Sequence, residues 1–415
     1  MTGLTPLLLL GCNASPSSQQ PSAKDLPPPV NYGSVQAKKV KPFKIKPVAT
    51  FDSPWALAFL PDQRMLVTEK PGHLWLVTAT GQKTPVGGVP TVHFEGQGGL
   101  LFVATSPAFA QDRKVYLTYS EPGEGGDGLA LARATLDLTG AQPMLRNLQV
   151  IWRQLPRGAG GQFGGYIAFS PDGRYLFLTS GERQRFTPAQ DPDQALGKIL
   201  RLTLDGKPAP GNPGAGKVGG TSIGLIDPSE NSGSAAKAPV RTVKIPAPNL
   251  TPAETWSTGH RNPYGLAFDA EGRLWETEMG PQGGDELNLI EPGRNYGWPV
   301  VSYGKNYDDT PIPSHAGNRK FQEPALYWTP VIAPAGLTFY NGRMFPEWQG
   351  SAFVGGLAST SLSRIAFDNG VPREADRWDM GARIRAVMAG PDGALWVLED
   401  GSGGRLLRLT SQRAG

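Results

Sequence analysis

One pattern recurs six times along this chain: an apolar strand, a turn built on Asp, Asn or Gly, and a second apolar strand. It reads LAFLPDQRMLVTE at 57–69, VATSPAFAQDRKVYLTYS at 103–120 and IAFSPDGRYLFLTSGE at 167–182. It returns as LAFDAEGRLWETEMG at 266–280, LTFYNGRMFPEWQGSAFVGGL at 337–357 and VMAGPDGALWVLED at 387–400. Asp, Asn and Gly accept the backbone angles that tight turns demand. The strands are apolar on both faces, and the blades of a propeller bury both faces against their neighbours. Six such units at irregular spacing predict an all-β chain, a six-bladed β-propeller with long inter-blade loops, ahead of a pair of β-sandwiches. Residues 205–255 and 299–325 lack periodicity and read as insertions between blades, the first a partly mobile surface loop.

Composition supports many turns and little else. Gly (54) and Pro (40) are abundant without a Gly-X-Y period, which excludes a collagen-like chain. The net charge of +4 is spread over mixed residues with no basic run, so no nucleic-acid partner is expected. Cys12 is the only cysteine, so no internal disulfide can form. It follows Leu7–Leu10 and Gly11, as in a bacterial lipoprotein signal whose Cys becomes lipidated. The reading is therefore a lipoprotein-type signal over 1–12, a disordered Ser/Gln/Pro-rich tether over 13–45 and the propeller over 46–411. It implies an exported protein, periplasmic or membrane-tethered, touching the membrane only through an N-terminal lipid anchor.

The densest motif block runs from Thr258 to Trp298: TGHRNPYGLAFDAEGRLWETEMGPQGGDELNLIEPGRNYGW. With HFEGQGGLLFVATSPAFA (93–110), GGQFGGYIAFSPDG (160–173), SGER (180–183), AQDPDQALGKILRL (189–202) and RIRAVMAGPDGALWVLED (383–400), it resembles the glucose/sorbosone dehydrogenase family. The similarity is to soluble aldose sugar dehydrogenases, quinoproteins of the bacterial envelope that use pyrroloquinoline quinone (PQQ) and calcium. It implies an oxidoreductase acting on a small sugar or alcohol. PQQ is a flat tricarboxylate and requires Arg or Lys forks. Calcium polarises the quinone, and a neutral His takes the proton from the sugar hydroxyl.

Carried over position by position, the resemblance assigns Gln97, Arg261, Asn262, Arg383 and Arg385 to PQQ. It assigns the carbonyls of Gly280 and Pro281 to the catalytic calcium, and Glu286 with the Tyr296 carbonyl to a structural calcium. Turn stabilisation and surface ion pairing are the competing roles for these residues.

Several reactive positions differ. Where the family carries its catalytic His, this chain has Gln162, which offers no nitrogen able to accept a proton near neutral pH. Other polar family positions are occupied by Phe102, Tyr166, Tyr264, Met279, Ala358 and Ala386. Two functions follow as expectations. One is a sugar dehydrogenase with reduced or lost activity, using Glu278 or a nearby carboxylate through water. The other is a non-catalytic propeller binding a sugar-like or apolar ligand in an aromatic pocket formed by Phe102, Tyr166 and Tyr264. None of the four histidines, His73, His93, His260 and His315, stands at the position of the family base.

Overall fold

The computed structural model describes residues 21–226 and 240–412. Cys12 and the expected signal lie outside them. Each repeated motif forms the first two strands of a four-stranded antiparallel blade. The innermost strands are Pro54–Phe59, Leu100–Thr105, Gly164–Phe169, Pro263–Phe268, Pro334–Phe339 and Ile384–Ala389. They pack side by side around one axis, the last against the first. The six-bladed propeller read from the sequence is the observed fold. The ring closes because Phe43–Asp52 pairs antiparallel with Ser402–Ser411 and so completes the last blade from the other end of the chain. The turns work as expected: Asp62, Asp172 and Asp392 accept the backbone N–H two residues on, from Arg64, Arg174 and Ala394.

Two readings of the loops are corrected. Residues 21–42 are not a disordered tether. Val30–Asn31 adds a parallel edge strand to the fourth blade beside Leu326–Trp328, and the Arg377 guanidinium donates to the carbonyls of Tyr32 and Val35. A Pro- and Ser-rich segment cannot build its own core, but its backbone is satisfied here by the propeller's edge. The first insertion is also ordered over its described part. Ser222–Leu225 pairs with Arg241–Lys244, and the Asn249 amide ties it to the carbonyls of Asp193 and Gly220.

Every innermost strand carries a register shift near its start. Such bulges bend a strand and re-aim its side chains. They also free a backbone N–H, and in three blades a buried threonine of the next strand takes it. Thr68, Thr118 and Thr179 accept from the N–H groups of Ala56, Phe102 and Tyr166. Each then donates to a carbonyl of the following blade, on Leu101, Gly165 and Pro263, at 2.6, 2.7 and 3.1 Å. One hydroxyl thus caps a bulge and links two blades.

The bulges turn four aromatic rings toward one another across the axis. Trp55 lies 4.9 Å from Tyr166 and 5.6 Å from Tyr264 between ring centroids, and Phe102 lies 4.7 Å from Tyr166. Opposite them stands Gly336, whose φ of 74° suits glycine and whose missing Cβ would approach the Val387 nitrogen to 3.0 Å. The rings plug the channel. Below the plug a cavity of about 250 Å³ remains among Phe102, Tyr166, Leu266, Leu337 and Met388.

Candidate active site at the mouth of the propeller

Above the plug the loops at one end of the blades enclose a cavity of about 650 Å³. Its lining brings together Gln97, Gln162, Arg261, Asn262, Met279, Gly280 and Pro281, seven of the residues singled out in the sequence. The loops entering the second, third and fourth blades supply the first four of these. The turn after Leu274–Glu278 supplies the rest.

Arg261 is held from several sides. Its backbone N–H donates to Glu278 Oε2 at 2.5 Å, and its Nη1 donates to the carbonyls of Met279 and Gly280, both at 2.9 Å. Its guanidinium also lies 5.2 Å from the centroid of the Trp298 ring. Asn262 Oδ1 is buried without a hydrogen bond, a free acceptor at the cavity wall. Gln97 Oε1 accepts from the Gln162 N–H at 2.9 Å and from the Tyr264 hydroxyl at 3.2 Å, joining the mouth to the plug. Gln162 is only 2% exposed and has φ of 54°.

Asp285 also lines the cavity and was missed in the sequence. It accepts three backbone N–H groups, from Gly280, Ile332 and Ala333, yet burial outweighs them and pushes its carboxyl up to about 7. Lys305 and Tyr307, from the second insertion, complete one wall. An insertion without periodicity carries no signal of where its tip will land.

Arg383 and Arg385 do converge, as strand alternation predicts, but on Asp400: their Nε atoms donate to its two carboxylate oxygens, each at 2.9 Å. They do not line the cavity. Arg383 reaches its edge, since Nη1 bonds the Leu357 carbonyl beside the cavity-lining Ala358. Lys70 belongs to the same group. Burial first, and then Arg385, pull its ammonium below the ordinary lysine value, and Nζ donates to the Gly96 carbonyl.

The aromatic pocket is corrected. Tyr166 and Tyr264 are each 3% exposed and face other rings, so they form the plug and turn no face to the mouth, while half-buried Phe102 borders the cavity beneath them. Glu278 is unavailable as a substitute base, because its oxygens are taken by His260, Asn288 and the Arg261 N–H. None of the four histidines lines the cavity. His73 pairs with Glu69, His93 with Asp127, His260 with Glu278, and buried His315 faces Glu286. Glu286 and Tyr296 lie behind the cavity wall. Tyr296 stacks on His260 at 4.8 Å, and its hydroxyl donates to the Leu289 carbonyl.

These residues fit a flat, polyanionic cofactor and a hard cation. A guanidinium, two carboxamides and the unsatisfied Asn262 oxygen face one cavity. The Pro281 carbonyl and the Gly280 carbonyl, whose second lone pair is left beside the bond from Arg261, bring oxygen donors to the same wall, with the Asp285 carboxyl, held by three backbone N–H groups, behind them. A proton acceptor at position 162 does not fit.

Comparisons with known proteins identify the family. The family profile described as Glucose / Sorbosone dehydrogenase matches residues 51–223 and 235–408. Aldose sugar dehydrogenase YliI of Escherichia coli (strain K12) is 37% identical over 371 residues, covering 86% of this chain and 90% of that protein. A crystal structure of a glucose dehydrogenase superposes with a TM-score of 0.76 at 41% identity, covering 88% of this chain and 99% of the other. The PQQ-bound aldose sugar dehydrogenase of Streptomyces coelicolor superposes with a TM-score of 0.68 at 30% identity, covering 90% and 99%.

Proposed function

Since the chain belongs to the glucose/sorbosone dehydrogenase family, we propose that its mouth binds PQQ and calcium and receives an aldose or related sugar, with oxidation limited by the missing base. The observation that carries this reading is the single cavity shared by Gln97, Arg261, Asn262, Gly280 and Pro281, with a carboxamide at position 162. When bound, PQQ supplies the hydride acceptor and calcium the Lewis acid. Arg261 offers a fixed positive charge to an acidic ligand, and its ties to Met279 and Gly280 hold it in place before binding. Gln97 is oriented by the Gln162 N–H and Tyr264. Arg383, Arg385 and Lys70 add positive potential around the Gly96 and Leu357 loops, partly balanced by Asp400.

Gln162 can hold a sugar hydroxyl by hydrogen bonding but cannot remove its proton. The aromatic plug closes the channel beneath, so substrate enters and product leaves by the mouth. The alternative, a propeller that stacks a ligand on the aromatic residues, is less favoured, because Tyr166 and Tyr264 are buried against Trp55 and Phe102 and line no part of the mouth. Export and an N-terminal lipid anchor at Cys12 accompany this proposal, and among the described residues no helix is long and apolar enough to cross a membrane.

The test is a PQQ titration of the purified protein with and without calcium, followed by dye reduction with aldoses. Calcium-dependent retention of quinone absorbance with slow turnover supports the reading. No retention at micromolar PQQ rejects it.

A further inference from the structure

Behind the mouth, the fourth blade buries more acid than its surroundings neutralise. Leu274–Glu278 pairs with Asp285–Ile290 so that Glu276 stands opposite Asn288 and Glu278 opposite Glu286. Alternation then places all four side chains on one face. None is more than 5% exposed. The Asn288 amide nitrogen sits 3.1 Å from Glu276 Oε2, 3.3 Å from Glu278 Oε1 and 3.2 Å from Glu286 Oε2. One amide has two hydrogens and here faces three carboxylates. Glu276 Oε1 and Asn288 Oδ1 are buried with no hydrogen-bond partner.

His260 closes the group. Its Nδ1 lies 3.2 Å from Glu278 Oε1, and its Nε2 lies 2.9 Å from Ser257 Oγ. Either ring nitrogen can carry the hydrogen; with it on Nε2, donated to Ser257, the Nδ1 lone pair would face the carboxylates, and a bound ion would take the place of the Nδ1–H bond to Glu278. A metal-bound imidazole has this arrangement, one nitrogen on the ion and the other donating outward. One ligand atom each from His260, Glu276 and Glu278 lies within 4.8 Å of the others.

We propose that His260, Glu276 and Glu278 hold a divalent metal ion of the zinc or manganese class, with Asn288 turning its amide oxygen inward to join them. The imidazole sets the class, since nitrogen ligands suit zinc and other transition ions, whereas calcium takes oxygen. The site is distinct from both calcium positions carried over from the family. Gly280 and Pro281 face the cavity, and Glu286, which borders the group through Oε2 on the Asn288 amide, turns its other oxygen to His315 and is not one of the three ligands. The ion has no path to substrate and acts structurally. It ties the loop carrying Arg261 and Asn262 to the strand that leads into the Met279–Gly280 turn, so it braces the mouth from behind.

The test uses the whole chain. Protein stripped with chelator is titrated with Co²⁺ in excess Ca²⁺, and visible absorption and melting temperature are followed. We expect about one equivalent of Co²⁺ to bind with visible d–d bands and raise the melting temperature, as metal linked to folding does. Glu276→Gln, which keeps size and removes one ligand charge, should lose the bands. If that variant fails to fold, the wild-type titration alone decides. No bands and no thermal shift in wild type overturns the proposal, because the cluster then holds protons instead. Bands of equal intensity in Glu276→Gln and wild type overturn it as well.

Discussion

The guanidinium of Arg261 donates to the carbonyl oxygen of Gly280 at 2.9 Å, so the residue that offers charge to the cavity also fixes the turn assigned to the calcium. Charge-assisted hydrogen bonds contribute roughly 1.5–3 kcal/mol each. Arg261→Ala should therefore weaken PQQ binding by about 10- to 100-fold and loosen the Met279–Gly280 turn. A PQQ titration monitored by quinone absorbance checks it. Arg261→Lys keeps the charge but cannot span two carbonyls with a planar fork, so it should recover only part of the affinity.

Position 162 carries Gln where the resemblance places the base, and the backbone there does not forbid His. Gln162 has φ of 54°, a region in which His is more common than most side chains. Gln162→His should raise dye-linked aldose oxidation by about 10²-fold or more, the lower range of what a positioned base supplies. The measurement is kcat at saturating sugar with PQQ and calcium present. An unchanged kcat would place the defect elsewhere in the mouth.

The blades were legible because their pattern is local. Asp–Gly turns between apolar strands need no distant partner to be recognised, and the six motifs became six blades. Local reading failed where a residue's role depends on what crosses from another blade. Phe102, Tyr166 and Tyr264 are far apart in sequence, and only the bulges reveal that they meet Trp55 at the axis. Arg383 and Arg385 showed their common face by alternation, but Asp400, which both engage, comes from the neighbouring strand's end. The buried acidic group did leave a signal. WETE and DELN each place a glutamate two residues from another polar side chain, Glu276 with Glu278 and Glu286 with Asn288, a period that sets them on one face. The Thr68, Thr118 and Thr179 links were likewise present as a threonine recurring in the second strand of successive motifs.

The plug should carry much of the stability of the ring, because its rings contact one another across blades that share no hydrogen-bonded ladder. Tyr166→Ala removes a ring packed on both Trp55 and Phe102. A buried aromatic truncated to Ala costs about 3–5 kcal/mol. Urea denaturation should show a matching fall in midpoint. It would also join the mouth cavity to the one beneath it, so quenching of tryptophan fluorescence by small neutral molecules should increase. A loss below about 1 kcal/mol would mean that neighbouring side chains collapse into the gap.

Two buried groups bias stability in opposite directions over separate pH ranges. The Asp285 carboxyl is pushed up to about 7 by burial. Between the unfolded value near 3.9 and about 7 the native state therefore holds a proton that the unfolded chain has released. Stability from this group is complete below the unfolded value and is lost as pH rises through about 7, at a slope of up to about 1.4 kcal/mol per pH unit. Lys198 is buried with Nζ donating to the carbonyls of Pro188, Ala189 and Leu196, and burial pushes it down to about 7. Above that value the unfolded chain keeps a proton that the native state lacks, so stability from Lys198 rises from about pH 7 toward 10. Urea unfolding of Asp285→Asn should flatten the pH dependence between 5 and 7 and leave it unchanged above 8. Lys198→Met should do the reverse, while lowering stability at every pH because three carbonyls lose their donor. A slope in the acidic range that persists in Asp285→Asn would assign the titration to the neighbouring glutamates instead.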